Sequence, residues 1–329
     1  MTDADAGVAG PAGDAEVAEF WRTLGLPGAV DLHVHFMPDR VLCKVWAFFD
    51  GVRLRDGTPW HVTYRLDQDA RVARLRALGV TRFGALAYAH RPGMAEWLNI
   101  WSADFAAAVP DAVHCATFHD EPEADAYVAA ALEAGAALFK VHLRVGGFDP
   151  RDPQLRPVWA RLAAAEVPVI VHAGSGPRPG AHTGPDVFGE VLAAHPRLTA
   201  VIAHMGMPEY GPFLDLAVRY PNVHLDTTMV FTDFVERFAP YPRALVPRLA
   251  EHADRIVLGS DFPNIPYHYA HQIDVLARVG LGADWLRRVC WHNPQRLLAA
   301  VRTAADRAVT RGSVPPGAGG QPGGRRPRR

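Results

Sequence analysis

The chain has 329 residues, 49% hydrophobic and 21% charged, which is enough apolar material for one sizeable buried core. A formal net charge of -1 argues against a nucleic-acid partner, because phosphate binding draws on clustered Lys and Arg. The three cysteines, Cys43, Cys115 and Cys290, are odd in number and far apart, which excludes a disulfide framework and a CxxC metal site.

Residues 1–14 are acidic and rich in Ala and Gly, with neither the basic nor the apolar region of a signal peptide, and are expected to be disordered. No apolar run is long enough to span a bilayer, so the expected setting is the cytoplasm, without a membrane partner. A globular unit is expected over 15–302. It opens with an amphipathic helix from Ala15 to Leu24 and a first strand from Ala29 to His35. A long excursion, Phe36 to Leu66, follows, and then a helix capped by Asp67 that runs to about Leu78. Strands and helices then alternate: strand Val80–Ala89, helix Met94–Val109, strand Ala112–Phe118, helix Glu123–Ala134, strand Ala137–Val145, helix Leu155–Glu166. The second half continues with strand Val167–His172, helix Asp186–His195, strand Leu198–His204, helix Tyr210–Tyr220, strand Val223–Asp226, helical stretches from Asp233 to Ala253, strand Arg255–Ser260 and helix Ala270–Val279. An extra helical pair covers Trp285 to Val301. Residues 303–329, rich in Gly and Pro and ending in Arg325, Arg326, Pro327, Arg328 and Arg329, read as a disordered, solvated tail.

Strands such as Val167-Pro168-Val169-Ile170-Val171 are almost continuously apolar, as a parallel sheet covered on both faces requires. Eight such strand-helix units predict a single α/β domain of the (β/α)8 TIM-barrel type, with a lid-like excursion after the first strand and extra C-terminal helices. An open doubly wound sheet would carry a Gly-rich phosphate loop after its first strand. Here that place holds His33-Val34-His35-Phe36.

In such a barrel the active site lies at the C-terminal ends of the strands. Those ends carry polar groups in turn: His33 and His35, His90, His119, Lys140 with His142, His172, His204, Asp226 and Asp261. His33 and His35 are two apart on a strand, so both imidazoles face the same side and can reach one ion. Two neutral imidazoles with one or two more donors make a zinc-type catalytic site with an open position. Each histidine alone reads as well as a core residue held by a carbonyl; together with a carboxylate after the eighth strand they favour a metal site. Arg144 and Arg178 follow strands four and five and read either as a clamp for a substrate carboxylate or as solvated surface residues. His61, His114, His195, His224, His252 and His292 read as structural or surface residues.

Asp31-x-His33-x-His35, Lys140-x-His142, His172-Ala-Gly, His204-Met-Gly and Gly259-Ser-Asp261-Phe-Pro, in this order, resemble the amidohydrolase superfamily. The pattern from Phe148 to Trp159 and the late Asn293-Pro-x-Arg296-Leu resemble the branch that contains aminocarboxymuconate-semialdehyde decarboxylase. The resemblance implies one divalent ion, zinc by preference, held by His33, His35, His172 and Asp261, with His204 as the base that handles the proton. Lys140 stands where some superfamily members carry a carboxylated lysine bridging two metals, so two metals are implied if Lys140 is carboxylated. His142 shares its face and is a candidate substrate contact. The resemblance also implies a homodimer. The expected activity is hydrolysis of an amide, cyclic amide or lactone in a small organic substrate through a metal-activated water. The alternatives are non-oxidative decarboxylation of an aromatic or unsaturated acid, and a non-catalytic metal-binding protein.

Overall fold

Parallel strands buried on both faces account for the near-continuous apolar runs. In the computed structural model, which describes residues 8–54 and 56–301, the strands β1 (Ala29–His35), β2 (Val80–Leu86), β3 (Ala112–Val113), β4 (Cys115–Thr117), β5 (Leu138–His142), β6 (Val169–His172), β7 (Ala200–Ile202), β8 (Val223–Asp226) and β9 (Ile256–Val257) pair in parallel. β3 and β4 are two halves of one barrel strand interrupted at His114, so nine segments fill eight positions. The ring closes where Leu32 N–H donates to the Leu258 carbonyl (3.0 Å) and Asp261 N–H to that of His33 (2.8 Å). This is the (β/α)8 TIM barrel expected from the sequence.

Helices α1 (Asp14–Thr23), α2 (Asp39–Asp50), α3 (Gln68–Ala77), α4 (Ala95–Ala108) and α5 (Ala124–Glu133) precede a short turn, α6 (Leu143–Gly146). Then come α7 (Arg156–Ala165), α8 (Pro185–Ala194), α9 (Tyr210–Arg219), α10 (Asp233–Glu236), α11 (Val246–Glu251), α12 (Tyr269–Arg278) and α13 (Gly282–Arg287). Asp67 caps α3 as expected, its side chain accepting from Ala70 N–H. The excursion after β1 forms α2, which is pinned when Trp46 Nε1–H donates to Asn264 Oδ1 (3.1 Å) and Trp60 Nε1–H to the Asn264 carbonyl (2.7 Å). Among the described residues no helix is long and apolar enough to cross a membrane.

Two apolar layers hold the barrel. Val30, Leu32, Leu138, Ile170, Val201 and Val257 fill its interior, with Leu297 and Leu298 closing the bottom. A larger shell between strands and helices includes Trp21, Trp159 and Phe213. A register shift between Asp31 and Val34 separates the part of β1 whose Val30 and Leu32 fill the barrel from the part whose His33 and His35 line the cavity above.

Three expectations are corrected. Strand four ends at His142, not Val145: the His142 ring accepts from Val145 N–H (3.4 Å) and Gly147 takes φ 68°, which turns the chain into α6. The sixth barrel strand stops at Ile202, because His204 and Met205 adopt left-handed φ values of 55° and 50°. The expected N-terminal disorder over 1–14 ends sooner: Pro11 is buried, and Asp14, which opens α1, accepts from Ala270 N–H (3.0 Å). Residues 1–7 and the tail 303–329 lie outside the described residues.

His224, read as structural, sits on β8 two residues before Asp226, on the same interior side but toward the barrel bottom. Its Nδ1 is buried without a hydrogen-bond partner. Burial first, then the charges of Arg255 and Arg296, lowers its pKa from 6.5 to about 4. The unfolded chain therefore binds the extra proton more readily between these values. Stability that is present above pH 6.5 is expected to fall as pH drops toward 4, by up to about 3 kcal/mol. Urea midpoints should show a shallower acid loss in His224→Gln than in the parent; parallel curves would refute the assignment.

Candidate active site

His33 has its tautomer set from outside the cavity. Its Nδ1–H donates to Asp226 Oδ2 at 2.8 Å, with Thr228 Oγ1 also accepting at 3.0 Å, which leaves the Nε2 lone pair facing inward. A carboxylate behind a histidine in this way orients metal-ligating imidazoles. Lys140 Nζ donates to that Nε2 at 3.1 Å. Burial, then the nearby Lys140 charge, lowers His33 to about 3, so its ring is neutral. Burial lowers Lys140 to about 8. Asp226 itself is fully buried and also accepts from the backbone N–H of His204 (2.8 Å) and Thr228 (3.1 Å). Burial pushes its carboxyl up, but the His33 and His204 imidazoles and the Thr228 hydrogen bond outweigh it and the net shift is downward.

Asp261 follows β9 in a left-handed conformation, φ 72°, fixed by its N–H on the His33 carbonyl. Its Oδ1 lies 2.8 Å from His35 Nε2 and 3.6 Å from His33 Nε2. Burial raises the carboxyl, but His35, His33 and His204 pull it further down, so it stays ionised. His35 turns Nδ1 to the Leu86 carbonyl at 3.3 Å and Nε2 to Asp261 Oδ1, which fixes the ring against the carboxylate at the cavity floor. His204 uses Nδ1 on the Thr228 carbonyl (3.1 Å), leaving Nε2 available. The ligand atoms of His33, His204 and Asp261 all lie within 4.8 Å of one another. Two imidazoles and a carboxylate that converge in this way, with His35 beside the carboxylate, fit a divalent ion of the zinc class.

Gly259 is demanded here by close approach. A Cβ at this position would lie 2.2 Å from Thr228 Oγ1 and 2.8 Å from His33 Cβ, so any side chain would displace the ring.

His172 stands at the edge of this group. Its Nε2–H donates to the Gly176 carbonyl (3.1 Å), its ring stacks on His142 at 3.8 Å between centroids, and it lies 4.7 Å from the His204 ring. Only its Nδ1 remains to serve as a ligand. Burial, with neighbouring cationic and imidazole groups, holds both His172 and His142 well below the ordinary histidine range. Asp31 lies behind β1 rather than in the cavity, accepting from His33 N–H (3.1 Å) and Tyr269 O–H (3.0 Å). Burial raises its carboxyl to about 7.

Above the cluster opens a cavity of ≈ 730 Å³, lined by His33, His35, Lys140, His142, His172, His204 and Asp261 at the floor, and also by Arg144 and Arg178. The sequence reading missed several residues. The sequence places Asp226 at a strand end but nothing local to it assigns it a role. Thr228 and Tyr88, whose ring lies 5.6 Å from His35 and from His142, carried no signal.

A closed barrel with buried imidazoles and a carboxylate at its strand ends defines a metal-dependent barrel enzyme. The sequence profile of the amidohydrolase family matches residues 30–299, and the chain belongs to that family; it is an enzyme of the metal-dependent hydrolase or carboxy-lyase kind. No curated protein matches. Among solved structures, an uncharacterised TIM-barrel protein from Bordetella bronchiseptica is 19% identical with a TM-score of 0.65, covering 84% of this chain and 99% of its own. The 5-carboxyvanillate decarboxylase of Sphingomonas paucimobilis is 16% identical with a TM-score of 0.57, covering 83% and 99%. A dihydroorotase from Campylobacter jejuni is 14% identical with a TM-score of 0.53, covering 83% of each chain. At these identities the likeness is one of fold.

Proposed function

We propose that the chain is a zinc-dependent hydrolase that opens an amide, cyclic amide or lactone of a small organic substrate. The observation that carries this reading is the pairing, at the cavity floor, of an ionised Asp261 with His204, whose Nδ1 lies on the Thr228 carbonyl and whose Nε2 is left for the cavity. Both can accept a proton. His33, His35, Asp261 and His172 through Nδ1 would hold the ion, which would supply Lewis acidity when bound, leaving His204 Nε2 for the proton. Asp261 has one oxygen engaged by His35, and the other is placed to take a proton from the attacking water. His204 Nε2 can pass a proton on to the leaving nitrogen or oxygen, as a general acid–base group must. The Lys140 ammonium stands beside His33, where it can stabilise a developing oxyanion.

The second reading is decarboxylation of an aromatic or unsaturated acid, favoured by Lys140 near the floor and by Arg144 and Arg178 on the cavity lining. A panel of lactones and cyclic amides beside aromatic acids separates the two. Ring opening with no carbon dioxide released is expected; carbon dioxide from the acids, with the lactones and amides intact, would replace the first reading by the second. Elemental analysis is expected to give one metal per chain, and two would point to a carboxylated Lys140.

A further inference from the structure

The cavity walls and rim differ in chemistry from its floor. Helix α2 lays Val41, Val45, Phe48 and Phe49 along the cavity, the i, i+4 spacing of one helical stripe. Arg40 and Lys44 also line the cavity, each one residue before a wall residue and both exposed, so they occupy the stripe's outer edge. Arg91, on the loop after β2, joins them. The Arg40 guanidinium lies over the Trp97 ring at 4.7 Å, and the charges of Arg91 and Lys44 both bear on His90 between them.

Among the described residues Arg40, Lys44 and Arg91 form no ion pair, whereas arginines elsewhere, such as Arg65, Arg151 and Arg161, sit on Asp50, Asp149 and Asp125. The cavity's single acidic lining residue is Asp261, at the floor and engaged by His35. Cations gathered over an apolar chamber without their own carboxylates favour an anion, because the charged partner supplies both Coulomb attraction and hydrogen-bond acceptors. We propose that the cavity takes an amphipathic organic acid: its reacting group reaches the floor, its apolar body runs along the α2 wall, and its carboxylate stays at the rim on Arg40, Lys44 and Arg91. The inference rests on the floor being the reactive end, as above, and makes these three residues specificity determinants remote from the chemistry.

Calorimetric titration of the metal-loaded full chain with phenylhexanoate and with the neutral phenylhexanol tests it. At low salt the carboxylate is expected to bind about tenfold more tightly. That preference is expected to survive removal of the metal and to shrink below about twofold in the Arg40→Gln/Lys44→Gln variant, with the alcohol bound as before and the far-ultraviolet circular dichroism unchanged. Equal affinities in the parent, a preference lost with the metal (an anion seated on the floor) or a preference intact in the variant would each overturn the proposal. Turnover is not read in these titrations, so a failure of the hydrolase assignment, seen in the substrate panel, leaves their outcome independent.

Discussion

Asp261→Asn is expected to lower kcat/KM by about a thousandfold or more on the compound the substrate panel identifies, while leaving the fold in place. The side chain loses its negative charge, its capacity to accept a proton and much of its strength as a metal donor at one stroke. Removal of a positioned general base alone is worth roughly 10²–10⁴ in rate, and the weakened metal site adds to it. The fold is expected to survive because asparagine keeps the side-chain volume and is one of the few residues that tolerate the left-handed backbone found here at φ 72°. The backbone bonds from Asp261 N–H to His33 (2.8 Å) and from Asn264 N–H to Asp261 (2.9 Å) do not involve the side chain. Steady-state kinetics, thermal unfolding and metal content should be read together. A variant that keeps more than a tenth of parental kcat/KM at full metal content would remove Asp261 from the reaction.

How much of this was legible in the sequence depends on the range of the interaction. The strand-helix beat is local, and its hydrophobic period placed α7, β6 and α9 to within a residue or two and β8 to the residue. The HxH pair was legible for the same reason, because alternation along β1 is a property of the strand itself. Chain direction changes set by single residues were harder: nothing in Leu198–His204 announces that His204 turns left-handed, and this turn is what brings its ring onto the Thr228 carbonyl. Pairing across the barrel was not legible either. His33 and Asp226 are 193 positions apart, and only closure of the barrel makes one the orienting partner of the other. The α2 wall belongs to the same class. Its place over the cavity is decided by Trp46 and Trp60 donating to Asn264, contacts between the first and last strand ends that no local pattern encodes.

Asp226→Asn isolates that unseen pairing. In the parent, Asp226 only accepts: from His33 Nδ1–H (2.8 Å), His204 N–H (2.8 Å) and Thr228 N–H (3.1 Å). An asparagine oxygen can still accept the two backbone bonds, since both reach Oδ1. The amide nitrogen then falls where Oδ2 was, opposite His33 Nδ1–H, so two donors face each other in a site closed to water. The expected relief is for His33 to move its proton to Nε2, with the Lys140 ammonium turning away from it, and to accept from the new amide through Nδ1. That tautomer has no lone pair left on the cavity side, which removes His33 as a ligand without touching it. Metal affinity is expected to fall about 10–100-fold, the usual scale for losing such an orienting partner, as measured by competition with a chromophoric chelator. The thermal midpoint should move little, because shape and the backbone bonds are retained and a buried charge is removed. Nitrogen-15 chemical shifts of the His33 ring in the metal-free protein supply a readout that a general loosening would not produce: the protonated nitrogen is expected to change from Nδ1 to Nε2. Unchanged affinity with the proton still on Nδ1 would mean that the carboxylate does not set the ligand-ready state of His33.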